Sequence, residues 1–342
     1  MVINKLYFYT KNYKINDRGS LWQPDPLLSY KGIPNSKGTQ DYYIGDSIKG
    51  GIYTEFDSIG FRVVKTQNRL NYNTLNLFLG CSFTYGTNIT AEESFTYKTS
   101  KMLGNSYINA GGTGYGIGQM KILLDTLISK YKFKYVFLQL SPWLTDRAMK
   151  ISAPLIYFYR PIPYFSDDNE FKLNYSAYEN TSMSYTYNWN ISKTSYSDKF
   201  KFILTDGMKI ELLDYMRLSI AKLKVFLGIL PKPAKNRESL EKYFYEYAIN
   251  KCKENHAIPV VLKLCYPDSN AISITNYLKD KCIIIDLDKD LNQKVIDTGK
   301  SYYELYSIYH VHKGKHLIFD THPNALANDI ISQKIYSILS NN

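Results

Sequence analysis

Leu77-Phe78-Leu79-Gly80-Cys81-Ser82-Phe83-Thr84-Tyr85-Gly86 is the stretch from which the rest of the chain is read. An apolar run ends at Gly80, a serine follows two residues later, and Gly86 closes the turn. This is the pattern of a buried strand delivering a hydroxyl to the carboxyl edge of a sheet, where open α/β sheets place their ligands. A serine hydroxyl is a weak nucleophile until a base takes its proton, and the base needs an acceptor to fix its tautomer. The meaning of Ser82 therefore depends on residues far away in the sequence.

Working outward, Thr74–Gly80 is predicted as the first strand and Glu92 to about Leu103 as the helix after it. Ser106–Gly111 reads as strand two, followed by the glycine-dense loop Gly112-Thr113-Gly114-Tyr115-Gly116-Ile117-Gly118. Met120, Leu123, Leu124 and Leu127 recur at helical spacing within Gln119–Tyr131, and Tyr135–Leu140 reads as strand three. Later, Leu212–Leu227 carries Leu218, Ala221 and Val225 at steps of three and four. A further helix, Ser239–Asn255, precedes strand four at Ile258–Leu264, and Cys282–Leu287 is strand five. A terminal helix spans Ala325–Leu339, with Leu326, Ile330, Ile335 and Leu339 expected on its inward side. Strand, loop and helix repeating with short connections is the signature of a parallel sheet. The fold class expected is three-layer α/β/α, with about five parallel strands.

Two regions stand apart from that repeat. Residues 1–72 contain Trp22-Gln23-Pro24-Asp25-Pro26, scattered glycines and short strand-like pieces such as Gly51-Ile52-Tyr53-Thr54. They are expected to be an N-terminal arm or small accessory region wrapped on a main domain of residues 73–342. Residues 151–235 interrupt that domain with a stretch rich in Tyr, Ser, Asn and Asp, expected to be an insert or lid bordering the site.

The 342 residues are 44% hydrophobic and 21% charged, a globular composition rather than a disordered one. A net charge of +11 would suit polyanions, yet the lysines are scattered and no nucleic-acid-binding signature is present, so no nucleic-acid partner is expected. The four cysteines form neither a CxxC pair nor a metal spacing, which points to reduced thiols and no bound metal or cofactor. No N-terminal apolar stretch marks a signal peptide and no run of about 18 apolar residues marks a membrane span, so a cytoplasmic location is expected.

Only five histidines are available as a base. His256 lies at a helix end, as a surface or capping residue would. His310, His312 and His316 lack the spacing of a zinc helix and are expected as a surface cluster. That leaves Phe319-Asp320-Thr321-His322-Pro323-Asn324, just before the terminal helix. At the carboxyl edge of the sheet this loop would bring His322 to Ser82, with Asp320 near enough to accept the imidazole Nδ1–H. Backbone N–H groups of Ser82 and Gly114 could then hold a developing oxyanion.

Together these blocks resemble the SGNH/GDSL hydrolase superfamily over roughly residues 74–145 and 258–340. Gly80–Gly86 is similar to its nucleophile block, with Cys81 where the pattern has Asp. Asn109–Gly116 resembles the second block, whose oxyanion-binding glycine falls at Gly114, and Asp320-Thr321-His322-Pro323 resembles the last. The resemblance implies Ser82, Asp320 and His322 as catalytic residues. One block departs. Where the family commonly has Gly-x-Asn-Asp, this chain has Gln139-Leu140-Ser141-Pro142-Trp143-Leu144-Thr145-Asp146-Arg147. Trp143, Ser141 or Gln139 could replace the missing Asn donor, or the oxyanion hole could have two donors only. Losing a donor without replacement costs roughly 3–4 kcal/mol. Asn109, Thr84 and Arg147 are expected to face the substrate, Arg147 through an anionic group unless it pairs with the scaffold. Arg62 is expected at the surface or in a structural role.

The function expected is serine-dependent hydrolysis of an acyl ester carried by a glycan or other small polar conjugate. An O-acyltransferase using the same half-reaction, and a catalytically weak glycan-binding protein, are the alternatives.

Overall fold

The computed structural model describes residues 14–18, 21–44, 47–155, 158–166, 171–175, 208–265, 272–312, 315–320 and 322–341. The N-terminal region forms strands β1 (Lys14–Arg18), β2 (Trp22–Asp25), β3 (Ser29–Gly32), β4 (Lys37–Ile44), β5 (Ser47–Phe56) and β6 (Arg62–Val63). β2 and β3 make a hairpin, and the others form an antiparallel sheet in the order β1-β4-β5-β6. Gly51–Thr54 lies inside β5, and the strand-like pieces belong to longer pairings than their residues suggest.

The main sheet begins with β7 (Leu75–Leu79), followed by α1 (Ser82–Tyr85), α2 (Phe95–Met102), β8 (Ser106–Asn109), α3 (Ile117–Ile128), β9 (Tyr135–Leu140) and α4 (Pro142–Ala148). In the insert, β10 (Ser152–Leu155) pairs with β11 (Phe158–Pro161), and β12 (Tyr164–Ser166) with β13 (Lys172–Asn174). The chain then continues through α5 (Met208–Phe226), α6 (Arg237–Glu254), β14 (Ile258–Lys263), α7 (Ile272–Leu278), β15 (Ile283–Asp286), α8 (Leu287–Thr298) and α9 (Tyr302–Tyr306). A hairpin of β16 (Ile308–His312) and β17 (Lys315–Asp320) leads to α10 (Ala325–Leu339).

The five core strands are all parallel, in the order β15-β14-β9-β7-β8. By sequence rank this is 5-4-3-1-2, the flavodoxin-like order, whose ligand site lies at the switch point between strands one and three. Here that point falls between β7 and β9. Both faces of the sheet are buried, so its strands read as continuous apolar runs. Leu77, Leu79, Val136, Leu138 and Val261 pack on the face covered by α3, α6 and α7. Phe78, Phe137, Val260, Leu262 and Ile285 pack on the face covered by α2, α8, α9 and α10.

Three details differ from the sequence expectation. Leu326 is exposed, and Ala327 and Ile331 face inward; α10 packs against α2, where the small Ala327 allows close approach. Helices α7 to α9 and the β16–β17 hairpin fill a stretch the apolar pattern left unassigned. The N-terminal region also shares the main core: Leu21, Trp22, Leu28, Tyr30 and Phe56 lie in one cluster with Leu77, Tyr85 and Tyr115. His256 is exposed with φ +59, and its N–H closes onto the Lys253 carbonyl at the end of α6.

Phe78 and Phe137 face each other across β7 and β9, stacked with centroids 4.3 Å apart and an interplanar angle of 7°. Both are fully buried. Phe137→Ala is expected to cost about 3–5 kcal/mol, read by urea unfolding; a loss below about 1 kcal/mol would contradict this packing.

Candidate active site

Ser82 opens α1 directly beyond the carboxyl end of β7 and is buried. Four residues are too few for a helix to hold itself by propensity, so α1 is fixed from outside. Gly86 ends it in the left-handed conformation, φ +77, where glycine carries no Cβ penalty. Arg62, buried, donates Nη1 to the carbonyls of Tyr85 (3.0 Å) and Gly86 (2.5 Å), and Nη2 to that of Ile89 (2.6 Å). A guanidinium from the N-terminal region thus caps the exit of the serine turn.

The other side of the turn is held by Gln139, the one polar residue in the buried run of β9. Its Oε1 accepts the Cys81 N–H (3.0 Å) and the Thr84 hydroxyl (2.8 Å), and its Nε2 donates to Ser141 Oγ (2.8 Å) and Cys81 Sγ (3.3 Å). A Cβ on Gly80 would run into Thr84 Oγ1 and Gln139 Oε1, so this close approach requires glycine.

The loop after β8 reaches the same edge. Tyr115 N–H closes a turn onto the Gly112 carbonyl (3.0 Å), with Gly114 at φ +80, as a type II turn demands at its third residue. The Gly112 N–H meets the Gly80 carbonyl at 3.3 Å. Asn109 is buried. Its Nδ2 donates to Thr96 Oγ1 (3.2 Å) and the Tyr85 carbonyl (3.4 Å), and its Oδ1 accepts the Gly111 N–H (3.1 Å).

His322 approaches from the far end of the chain. Its imidazole stands edge-on to Phe83, with centroids 5.5 Å apart, and Phe83 meets Trp143 on another side at 5.3 Å. Its loop is anchored from behind: Asn324 caps α10 through the Ala327 N–H (3.1 Å), and Asn328 holds the Pro323 carbonyl (3.0 Å) and the Phe95 N–H (2.9 Å). Asp320 ends β17, and its side chain lies outside the described residues, as do those of His310, His312 and His316. Among the described residues no group of His, Cys, Asp or Glu could hold a metal ion.

Several expected site residues have other work. Trp143 Nε1 donates to Cys81 Sγ (3.4 Å), so the indole N–H is not turned to the serine edge. The Ser141 hydroxyl donates to the Leu264 carbonyl (2.5 Å) and is fully buried. Thr84 and Asn109, placed on the substrate side by sequence, point inward and hold the scaffold. Arg147 donates to the Tyr115 carbonyl (2.7 Å), tying α4 to the second loop. Sequence reading missed Phe83, which touches both Trp143 and His322; for Arg62 it left a surface or a structural role open, and the structural one is found, with partners it did not name. The signal for Phe83 was its place next to the serine. For Arg62, whose partners are carbonyls 23 to 27 residues away, there was none.

Cys81 is unusual among the four thiols. Burial pushes Cys252 up to about 12 and Cys282 up to about 11, and it raises Cys265 as well. For Cys81 the burial effect, also the largest, is outweighed by the Arg147 charge, the Trp143 indole, the Phe83 N–H and Gln139, and the thiol lies below its usual value. The Ser82 hydroxyl also points to its sulfur, at 3.8 Å. Gln139 Oε1 lies 3.5 Å away as an acceptor for the thiol form, but the donors outnumber it.

A cavity of about 400 Å³ lies between the β2–β3 hairpin and α3. Trp22, Leu28, Phe56, Tyr115 and Leu123 line it; it reaches Ala110 and Gly111 behind the second loop, and neither Ser82 nor His322 borders it.

No protein-family model matches the sequence, and no curated protein matches it. Among solved structures, the chain is similar to one described as a lipolytic protein of the G-D-S-L family from Desulfitobacterium hafniense. The identity is 13%, the TM-score 0.38, and the match covers 78% of this chain and 99% of that one. An α/β-hydrolase enzyme from the metagenome of Lake Arreo, Spain, is 8% identical with TM-score 0.41, covering 79% and 96%. A catalytic mutant of an acetylxylan esterase from Geobacillus stearothermophilus is 10% identical with TM-score 0.39, covering 79% and 95%.

Two predictions concern the clamps. Arg62→Ala removes three charge-assisted hydrogen bonds and strands buried carbonyls; it should cost about 2–3 kcal/mol in urea unfolding, with Arg62→Lys intermediate. Because folding lowers the Cys81 pKa, its contribution is full above the unfolded value of 9.0 and is lost as pH falls through the folded value. The stability gap between the native chain and Cys81→Ser should therefore be widest in alkaline buffer and shrink on acidification; a gap that widens toward acid would refute a stabilised thiolate.

Proposed function

We propose that the chain is a serine esterase of the SGNH type. The observation that carries this reading is the edge-on contact of the His322 imidazole with Phe83, the residue after Ser82, at the switch-point edge of the sheet. Ser82 is the nucleophile, His322 the general base and then acid, and Asp320 the acceptor that orients the imidazole.

The steps balance without a cofactor. Ser82 Oγ attacks the ester carbonyl as His322 takes its proton, and the tetrahedral oxyanion is received by the backbone N–H groups of Ser82 and Gly114. Collapse breaks the bond to the alcohol, which leaves with the proton from His322. Water, deprotonated by His322, then attacks the acyl-enzyme; the acid departs and Ser82 regains its proton. With Trp143 donating to Cys81 and Ser141 to Leu264, neither side chain is turned to serve as a third donor, which supports a hole of two backbone donors. A short acyl group suits a serine followed by the bulky Phe83 ring, against which Trp143 packs. The Tyr-rich insert favours a glycan or other polar conjugate as the alcohol, since tyrosine offers an apolar ring with a polar tip.

Treatment with a fluorophosphonate followed by intact-mass measurement is expected to add one adduct to the native chain and none to Ser82→Ala, with His322→Ala slowing labelling by about 10²–10⁴-fold. An unlabelled native protein, or labelling that survives Ser82→Ala, would sink the assignment. Product analysis with sugar acceptors separates hydrolysis from transfer: more transfer than hydrolysis would make the protein an O-acyltransferase.

A further inference from the structure

Helix α5 carries two apolar stripes. Leu218, Ala221 and Val225, the stripe expected from sequence, pack with Ile151 and Tyr164. The second, Met216, Ile220 and Leu223, also recurs at steps of four and three but faces outward, at 52%, 51% and 54% exposure. It continues through Phe226 (80%), the last residue of the helix, and beyond it through Leu227 (59%) and Ile229 (65%). Between them Gly228 turns the chain at φ +73, and a side chain there would meet nothing within 4 Å. The helix thus ends in a projecting apolar tip rather than a groove.

The charge around this tip is one-sided. Residues 217–235 contain Arg217, Lys222, Lys224, Lys232 and Lys235 and no Asp or Glu. Lys222, Lys224, Lys232 and Lys235 are exposed. Scattered single apolar residues need no explanation, but six large ones in one continuous patch mark an interaction surface. A second copy of the chain is a poor occupant, because a two-fold contact through this face sets five cations against the same five. A convex tip of Phe, Leu and Ile ringed by lysines is what an anionic bilayer receives: the rings and branched chains enter the headgroup–acyl boundary while lysine stems lie along it and their ammonium groups meet lipid phosphates.

We propose that residues 216–235 form a docking surface for an anionic lipid bilayer, on which the protein lies without crossing it. Among the described residues no helix is long and apolar enough to span a membrane, so attachment at this face is interfacial. The inference does not depend on the chemistry of Ser82.

The test is co-sedimentation of the full chain with vesicles of phosphatidylcholine alone and of equal parts phosphatidylcholine and phosphatidylglycerol. Binding to the anionic vesicles is expected to exceed binding to the neutral ones by about tenfold or more and to fall with added salt. The double variant Phe226→Glu, Leu227→Glu removes the apolar anchor, and the triple variant Lys222→Glu, Lys224→Glu, Lys232→Glu removes the charge; each should lose that excess at an unchanged thermal midpoint. The proposal fails if anionic vesicles bring down no protein, if neutral vesicles bind equally, or if neither variant lowers binding. A dimer by light scattering that dissociates in the Phe226/Leu227 variant would assign the face to a second copy and overturn it. Retention on immobilised polyglutamate without vesicle binding would assign it to an acidic protein, with the same consequence.

Discussion

One carboxamide determines where the serine stands. Gln139 is buried in a strand otherwise made of Tyr, Val, Phe and Leu, where an amide left without partners would cost about 1–3 kcal/mol. Its oxygen takes the Cys81 N–H and the Thr84 hydroxyl; its nitrogen reaches Ser141 and the Cys81 sulfur. Those bonds fix the first turn of α1, and they demand a glycine at position 80. Satisfying the amide and positioning Ser82 are the same event. Asn109 and Arg62 complete the frame from β8 and from the N-terminal region, so a helix of one turn is held from three directions.

The same frame redirects the donors around it. In this arrangement the Trp143 indole serves the Cys81 sulfur, and Arg147 supplies the nearby positive charge. A thiol at the N-cap of α1 becomes the place where this neighbourhood spends its polar groups. Arg147 meanwhile holds the Tyr115 carbonyl, so the charge that favours the thiolate also fixes the loop carrying Gly114. Cys81 and Thr84, close to Ser82 in sequence, therefore face inward, whereas Phe83 meets Trp143 and His322.

The parallel sheet was legible because strands buried on both faces are continuous apolar runs, and β9 and α10 have the bounds their residues predict. The inner stripe of α5 was legible from its spacing for the same reason. Phase was harder to read: Leu326 is more hydrophobic than Ala327, yet the α2–α10 contact selects the smaller residue. Polar side chains were read worst. Thr84, Asn109 and Ser141 look available in sequence because nothing local marks their partners, which lie on neighbouring strands or loops. Ser82, His322 and Gly114 were singled out on another ground, because the chemistry constrains residue type and order along the chain.

The N-terminal region shows how far that limit extends. Its aromatic residues follow no period, so they did not announce a core, yet Trp22 packs on Tyr85 at 5.4 Å and Tyr30 on Tyr115 at the same distance. Tyr85 belongs to the serine turn and Tyr115 to the second loop, whose hydroxyl donates to the Tyr30 carbonyl at 2.6 Å. Add Arg62 on the carbonyls beyond α1, and both site loops rest on residues that precede the sheet. A sheet edge supplies direction to a turn but little rigidity, since each loop leaves its strand after one or two residues. The rigidity here comes from packing behind the loops, and much of that packing is N-terminal. The stretch that looked accessory in sequence is thus, physically, the back wall behind the serine turn and the second loop.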